Sequence, residues 1–382
     1  MHLGFLAPEY PHPAVIHSAG IGTSIKNIAE GLKDKGIKVT VFVYSQKENK
    51  VLDADGIQLH LIQHKAYKFG GFYRYRKHVN TYVSRVIKEQ RISLIEAADW
   101  TGITAFMKYR VPVVIRLHGS DTYFCHLEGR KQKKKNFFFE KRALMRATAI
   151  ASVSAYTATV TKSLFGIQTA MTVLPNFIDT DRFLPQHLPV KEGHILNFGS
   201  VIRKKGVLAL AEAFNTVFKT NPEAHLLFLG KDVRDAQTGV STKQLIEGVL
   251  TEEAMSRVSF LEAVPYDQVQ RYIAEAAVIC LPSFAEAFPM TWLEAMAMEK
   301  GLVTSNIGWA KELMINGKTG YMVDPNDISS LSAALNKQLT EIQNRNQMAE
   351  QARKHLLAHF SKEQILKKNI DFYSKVINPG AV

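Results

Sequence analysis

Cysteine is scarce in this chain: Cys125 and Cys280 are the only two, far apart and without the spacing of metal ligands. That argues against a cysteine-held metal and fits a reducing cytoplasm. Cys280 lies in the apolar run Ala277-Val278-Ile279-Cys280-Leu281, where a small core thiol is expected. No run approaches the roughly 20 apolar residues that span a bilayer. The opening residues, Met1-His2-Leu3-Gly4-Phe5-Leu6, lack the basic flank and small-residue cleavage site of a signal peptide and read as a first buried strand. Low-complexity sequence is absent beyond a lysine run at 133–135. Acid is also in deficit, with 35 Asp+Glu against 48 Lys+Arg. The deficit is local: residues 1–185 hold 27 Lys/Arg and 14 Asp/Glu, whereas 186–382 hold 21 of each. An anionic partner is therefore expected for the first half. What remains is an ordinary globular composition, 46% hydrophobic and 22% charged, on 382 residues. That length suits two domains rather than one core.

Each half alternates short apolar runs with longer amphipathic ones, the pattern of parallel βαβ units. In the first half, Leu3–Ala7 and Lys38–Tyr44 read as strands flanking a helix over Thr23–Lys35 that Gly36 caps. Ser93–Ala97, Val111–Leu117 and Ala149–Ser154 follow as strands. In the second half, strands are expected at His194–Phe198, His225–Leu229, Val258–Leu261, Val278–Leu281 and Gly301–Thr304. Helices are expected at Val207–Lys219 and Pro265–Glu275, with a last one at Lys362–Ile377. The aperiodic Pro185-Gln186-His187-Leu188-Pro189 is read as the domain linker.

The most informative stretch runs from Pro282 to Ala297, through Glu286, Phe288, Pro289, Met290, Thr291 and Glu294. A strand ends, a loop follows, and a helix starts near Pro289, where proline is tolerated. The amides of Met290 and Thr291 then point beyond the strand end, as helix N-termini that bind phosphate do. Glu286 in the loop and Glu294 a turn into the helix could accept from sugar and ribose hydroxyls. Taken alone, the spacing fits an acidic cap and a solvated helical Glu better. A second turn, Phe198-Gly199-Ser200-Val201-Ile202-Arg203-Lys204-Lys205-Gly206, puts cations at a strand end where backbone at Gly199 could approach a ligand.

These stretches resemble glycosyltransferase family 4. The first is similar to its E-x7-E signature, with Ala287 and Pro289 where glycines are usual; the second is similar to its Gly-Arg-x(4)-Lys-Gly turn, with Ser200 in place of Arg. The resemblance implies the α/β GT-B fold, two facing Rossmann-like domains with parallel sheets and a cleft between them. It implies Glu286 on the donor sugar, Glu294 on the ribose, and Arg203 with Lys205 on the leaving diphosphate, with Gly199, Phe288, Met290 and Thr291 completing the donor site. In the first half, His17-Ser18-Ala19-Gly20-Ile21-Gly22-Thr23 resembles the family's glycine turn on the donor side, adding Gly20 and Gly22. Arg116-Leu117-His118-Gly119 resembles its His-Gly segment, which makes His118 the candidate to hold a sugar hydroxyl beside the reaction centre. Ile95–Trp100 resembles a segment near the acceptor in some relatives, with its role open, and Pro175-Asn176-Phe177-Ile178-Asp179 resembles the hinge-side loop.

The domains implied are 1–185 for the acceptor, 186–360 for the nucleotide sugar, and 361–382 as a helix packing back on the first. The function implied is transfer of a sugar with retained configuration to a glycan or lipid-linked acceptor, in cell-surface polysaccharide synthesis. No metal or other cofactor is expected: Asp53-Ala54-Asp55 and Asp179-Thr180-Asp181 are not placed to present both acids to one ion. Residues 130–142, with cations beside Phe137, Phe138 and Phe139, could rest on anionic lipid, or the rings could enter the core. Peripheral placement on the inner face of a membrane follows from the first of these, and nucleic acid is not an expected partner. A sugar-nucleotide epimerase or hydrolase on the same fold, and a non-enzymatic polyanion- or membrane-binding protein, are the rivals.

Overall fold

The computed structural model describes residues 1–186 and 188–380. Two compact units result, one of Met1–Phe177 with the chain from Lys362 onward, the other of Ile178–Ser361. The break follows Phe177, ahead of the linker read at 185–189; His187 in that linker, and residues 381 and 382 of the expected C-terminal segment, lie outside the described residues.

Unit 1 is built on an eight-stranded sheet. Its strands are β1 (His2–Ala7), β2 (Lys38–Gln46), β3 (Lys50–Ala54), β4 (Ile57–Gln63), β5 (Leu94–Ala98), β6 (Val113–Leu117), β7 (Ala149–Ser152) and β8 (Met171–Val173). They lie in the order β3-β4-β2-β1-β5-β6-β7-β8, every pair parallel except β3 with β4. The central strands are buried on both faces, which is why they read as unbroken apolar runs. One side packs the helix Gly20–Asp34 and the C-terminal helix Lys362–Ile377, through Ile25, Ile28, Leu32, Ile365, Leu366 and Tyr373.

A buried ionic cluster joins that C-terminal helix to the sheet. Arg116 on β6 donates from Nε and Nη2 to both oxygens of Glu96 on β5, at 2.7 and 3.0 Å. Its Nη2 also reaches Tyr373 Oη at 3.0 Å and Asn369 Oδ1, and Tyr373 donates to Glu96 Oε2 at 2.8 Å. All four side chains are buried.

Unit 2 has six parallel strands: β9 (Lys191–Phe198), β10 (His225–Leu229), β11 (Val258–Leu261), β12 (Ala276–Leu281), β13 (Gly301–Ser305) and β14 (Tyr321–Val323). Their order is β11-β10-β9-β12-β13-β14, so the sense of connection reverses between β9 and β12. In open α/β sheets ligands bind beyond the carboxyl ends of the strands at such a switch point. The helices Val207–Thr220 and Ile328–Thr340 cover one face through Leu210, Phe214, Leu331 and Leu335. Among the described residues no helix is long and apolar enough to cross a membrane.

Candidate active site

The basic turn follows β9 and the acidic loop follows β12, so both sit at the switch point of unit 2. Their backbones are pressed together. Phe284 N donates to Lys204 O at 2.8 Å, and Gly206, at φ +72°, lies so close to Pro282 that a Cβ there would stand 2.0 Å from its carbonyl oxygen. Gly206 is thus required by both conformation and contact. It ends the short 3-10 turn Arg203–Lys205 and begins the helix behind it.

That packing brings Lys205 against the acidic loop. Its Nζ lies 2.7 Å from Glu286 Oε1, which also accepts from Ser283 Oγ at 3.2 Å. Burial alone would raise the Glu286 pKa, but Lys205, Lys204 and the hydrogen bonds from Lys205 and Ser283 outweigh it and hold the carboxyl below its ordinary value. A side chain at Gly199 would point between Thr291 Cγ2, at 3.7 Å, and Lys205 Nζ, at 3.9 Å. Gly199, Lys205 and Thr291 therefore surround one small space. The helix Met290–Ala297 opens there with Pro289 in the capping position and no side-chain cap. Helix geometry leaves the first amides, those of Met290 and Thr291, without partners inside the helix.

Glu294 lies in the same helix and is 3% exposed, with Tyr266 Oη donating to its Oε1 at 2.6 Å. Burial raises its pKa to about 7, against the Tyr266 hydrogen bond and the charges of Lys205 and Arg182. Phe288 is buried on Phe360, with ring centroids 5.6 Å apart, and serves to fix the loop. Arg203 is tied down: its Nε and Nη2 donate to the two oxygens of buried Asp235, at 2.8 and 3.0 Å. The Arg203 hydrogen bond leads the effects that pull Asp235 down to about 2. Arg203 and Lys205 thus differ: one braces the turn against the 231–241 loop, while the other is held at the acidic loop by a carboxylate.

In unit 1 the helix begins at Gly20, so Gly20 and Gly22 are its first turn rather than a free glycine turn ahead of Thr23. Glu9, on the loop after β1, accepts from Gly22 N at 2.8 Å, so the chain supplies its own carboxylate to this helix head. A Cβ on Gly22 would stand 3.0 Å from Tyr10 Cα, which makes close packing the reason for that glycine; Gly20 faces open space. His118 follows β6 and is buried, and burial together with nearby Arg116 pushes its pKa down to about 3. It is a neutral imidazole at any physiological pH, a hydrogen-bond partner and not a cation. Its backbone N–H donates to Asp99 Oδ1 at 3.0 Å. Burial raises Asp99 to about 8, and its buried Oδ2 has no hydrogen-bond partner among the described residues. Glu96, in the segment whose role was open, belongs to the buried Arg116 cluster; Asp99, three residues on, belongs to the His118 turn.

Glu9, Asp235 and Tyr266 were not singled out by the sequence. Each meets its partner through the fold; Asp235 lies 32 positions from Arg203 and Tyr266 lies 28 from Glu294. Two acids, Asp232 and Asp235, follow β10, the strand beside β9, but nothing local tells which of them Arg203 meets. Each Asp-x-Asp triplet caps a turn: Asp53, at the end of β3, accepts at Oδ1 from Gly56 N, and Asp179 accepts at Oδ1 from Asp181 N and Arg182 N. Among the described residues no group of three or more His, Cys, Asp and Glu is gathered as metal ligands would be.

A family model described as Glycosyl transferases group 1 matches residues 179–355, and one described as Glycosyltransferase Family 4 matches 18–182. Glycogen synthase of Mycobacterium tuberculosis is 25% identical over 292 residues, covering 74% of this chain and 69% of that protein. Among solved structures, sucrose-phosphate synthase from Thermosynechococcus elongatus matches over 100% of both chains at 18% identity, with a TM-score of 0.82. Anabaena Alr3699/HepE in complex with UDP-glucose matches at 17% identity and a TM-score of 0.76, over 98% of this chain and 100% of that one. At such identities the structural likeness speaks to the fold, and that fold is GT-B, two parallel-sheet α/β domains.

Proposed function

The chain belongs to glycosyltransferase family 4 and acts on nucleotide sugars, and from this premise we propose that unit 2 binds the donor at its switch point. The observation that carries the reading is the convergence of Gly199, Lys205 paired with Glu286, and Thr291 at the head of the Met290–Ala297 helix, which no side chain caps. The helix amides and Lys205 take the diphosphate, Arg203 stiffens the turn that presents Lys205, Glu286 takes donor-sugar hydroxyls, and Glu294 takes the ribose. Unit 1 takes the acceptor, with neutral His118 holding a sugar hydroxyl.

The reaction we propose retains configuration and needs no metal. The acceptor oxygen bonds to the anomeric carbon on the face that the diphosphate oxygen leaves, and the acceptor proton passes to the departing phosphate. Cations supply the leaving-group stabilisation. The acceptor is a glycan or a lipid-linked glycan of a cell-surface polysaccharide, reached peripherally at the cytoplasmic face of a membrane, with 130–142 against anionic lipid. Proton NMR of the product formed in excess EDTA tests the chemistry: an α-linked product from an α-linked donor is expected. A β-linked product, or loss of turnover in EDTA, contradicts it.

Glu294 makes donor affinity depend on pH. Its folded pKa, about 7, lies above the ordinary 4.5. The stability this gives is fully present below pH 4.5 and is lost as pH rises through about 7. Ribose hydroxyls donate to the ionised form, so binding opposes the proton. Nucleotide affinity measured by calorimetry should rise by up to about tenfold per pH unit below 7 and level off above it. Glu294→Gln should flatten the profile; a flat wild-type profile contradicts the ribose assignment.

A further inference from the structure

The Lys134–Arg146 helix divides its three consecutive rings. Phe139 is buried, Phe137 stacks on Phe165 with centroids 5.1 Å apart, and Phe138 is 52% exposed. Phe138 is not alone on the surface. Phe69, at 75% exposed, precedes the helix Gly71–Gln90, whose first turns expose Phe72 and Tyr73. Phe72 stacks on Phe139 at 5.4 Å, and Phe106 joins Tyr73 at 5.5 Å and Phe138 at 6.4 Å. Together with Lys134 and Lys135 these rings line a hollow of about 620 Å³ whose walls are almost wholly apolar. About two turns beyond Phe138, Met145 stands 67% exposed on the same helix.

The charge around this hollow is of one sign. Segments 65–77 and 130–146 hold five and eight Lys/Arg, and their one acid, Glu140, is buried beneath the rim. Those thirteen cations are nearly half of the 27 in residues 1–185 and explain where the first-half excess sits. Several lie over the rings themselves: Lys135 Nζ is 5.1 Å from the centre of Phe72, and Arg142 is 5.1 Å from that of Phe106. A solvated helical face would not need exposed rings, and an acidic protein partner would not need an apolar hollow within a cationic rim. Rings that enter an interface, ringed by cations that meet phosphates, are what an anionic bilayer surface fits.

We infer that unit 1 docks on anionic lipid through a three-segment aromatic bowl, made by Phe72 and Tyr73, by Phe106 and by Phe138, with exposed Phe69 just ahead of the first segment. This rests on the peripheral location proposed for 130–142 and extends it: that helix supplies one wall, the Phe69–Tyr73 segment another, and Phe106 joins the two. Because the outer rings are exposed, replacing them leaves the core untouched.

The test is sedimentation with phosphatidylcholine vesicles and with equimolar phosphatidylcholine–phosphatidylglycerol vesicles, on wild type, Phe138→Ser, and Phe69→Ser/Tyr73→Ser. Thermal melting serves as the folding control. Wild type should bind the anionic vesicles alone, and each variant should melt as wild type does yet lose roughly tenfold or more in partitioning. If wild type ignores anionic vesicles, the peripheral location and the bowl both fail. If Phe138→Ser loses binding while Phe69→Ser/Tyr73→Ser keeps it, the peripheral location stands and the bowl is overturned. Equal binding by all three, abolished only by salt, likewise overturns the bowl, since charge alone would then suffice.

Discussion

Replacing Lys205 with methionine should lower kcat by about 10²- to 10³-fold, with a smaller effect on donor affinity. Lys205 is the cation that the fold delivers to the acidic loop, through the Gly206–Pro282 contact and the Lys204–Phe284 hydrogen bond. In the proposed reaction negative charge grows on the diphosphate as the glycosidic bond breaks. A fixed cation stabilises that charge more than the ground state, and losing one such group typically costs about 2.7–4 kcal/mol of barrier. Methionine keeps the volume, but Glu286 then loses its ion pair with Lys205, the largest effect opposing burial, and its pKa rises. Lys205→Arg should recover part of the rate, while Arg203→Lys should act more mildly through a looser turn. Steady-state kinetics with the cognate donor decides this. A Lys205→Met enzyme within about threefold of wild type would remove Lys205 from the proposed role.

The second large effect concerns stability. Arg116→Met should destabilise unit 1 by about 3–5 kcal/mol, because it strands a buried carboxylate. Glu96 would keep only Tyr373 as a donor from this cluster, in a site with no water-facing side. For a unit of this size the melting transition should fall by roughly 10 °C. The paired replacement Glu96→Leu/Arg116→Met should recover most of the loss, since an apolar pair can equal a buried ion pair once neither charge remains. The same cluster includes Asn369 and Tyr373, so hydrogen exchange in the Lys362–Ile377 helix should accelerate in the single variant and not in the double. A single variant that melts within 2 °C or so of wild type would mean that the cluster contributes little.

The sequence made the core strands legible because parallel strands buried on both faces are plain apolar runs. His225–Leu229 is found with the boundaries expected, and so is the half-buried edge strand Val258–Leu261. The β3–β4 hairpin was not foreseen: Lys50–Ala54 is a half-exposed edge strand with only two strongly apolar residues. The helix Gly71–Gln90 escaped too, since it starts with glycine and carries aromatic and basic residues together. That same helix forms one wall of the aromatic bowl, so reading 130–142 alone could supply only part of it. In the site, the two glutamates and the cationic turn are local signals and were legible. Their functional division was not. Whether an arginine faces a ligand or is claimed by Asp235, and whether glycine amides are open or already taken by Glu9, depends on loops that only the tertiary fold brings together.

The switch point of unit 2 is proposed as a nucleotide-sugar site. Ligand-induced thermal stabilisation tests it most directly, with UDP, GDP, ADP and their common sugars, in the absence of metal, on wild type and Glu294→Ala. A ligand at a hundredfold its Kd adds about 2.7 kcal/mol, which reads as a clear shift in Tm. A shift is expected with one base, greater for its sugar conjugate and lost in Glu294→Ala. No shift with any nucleotide, or a shift that Glu294→Ala retains in full, would contradict it.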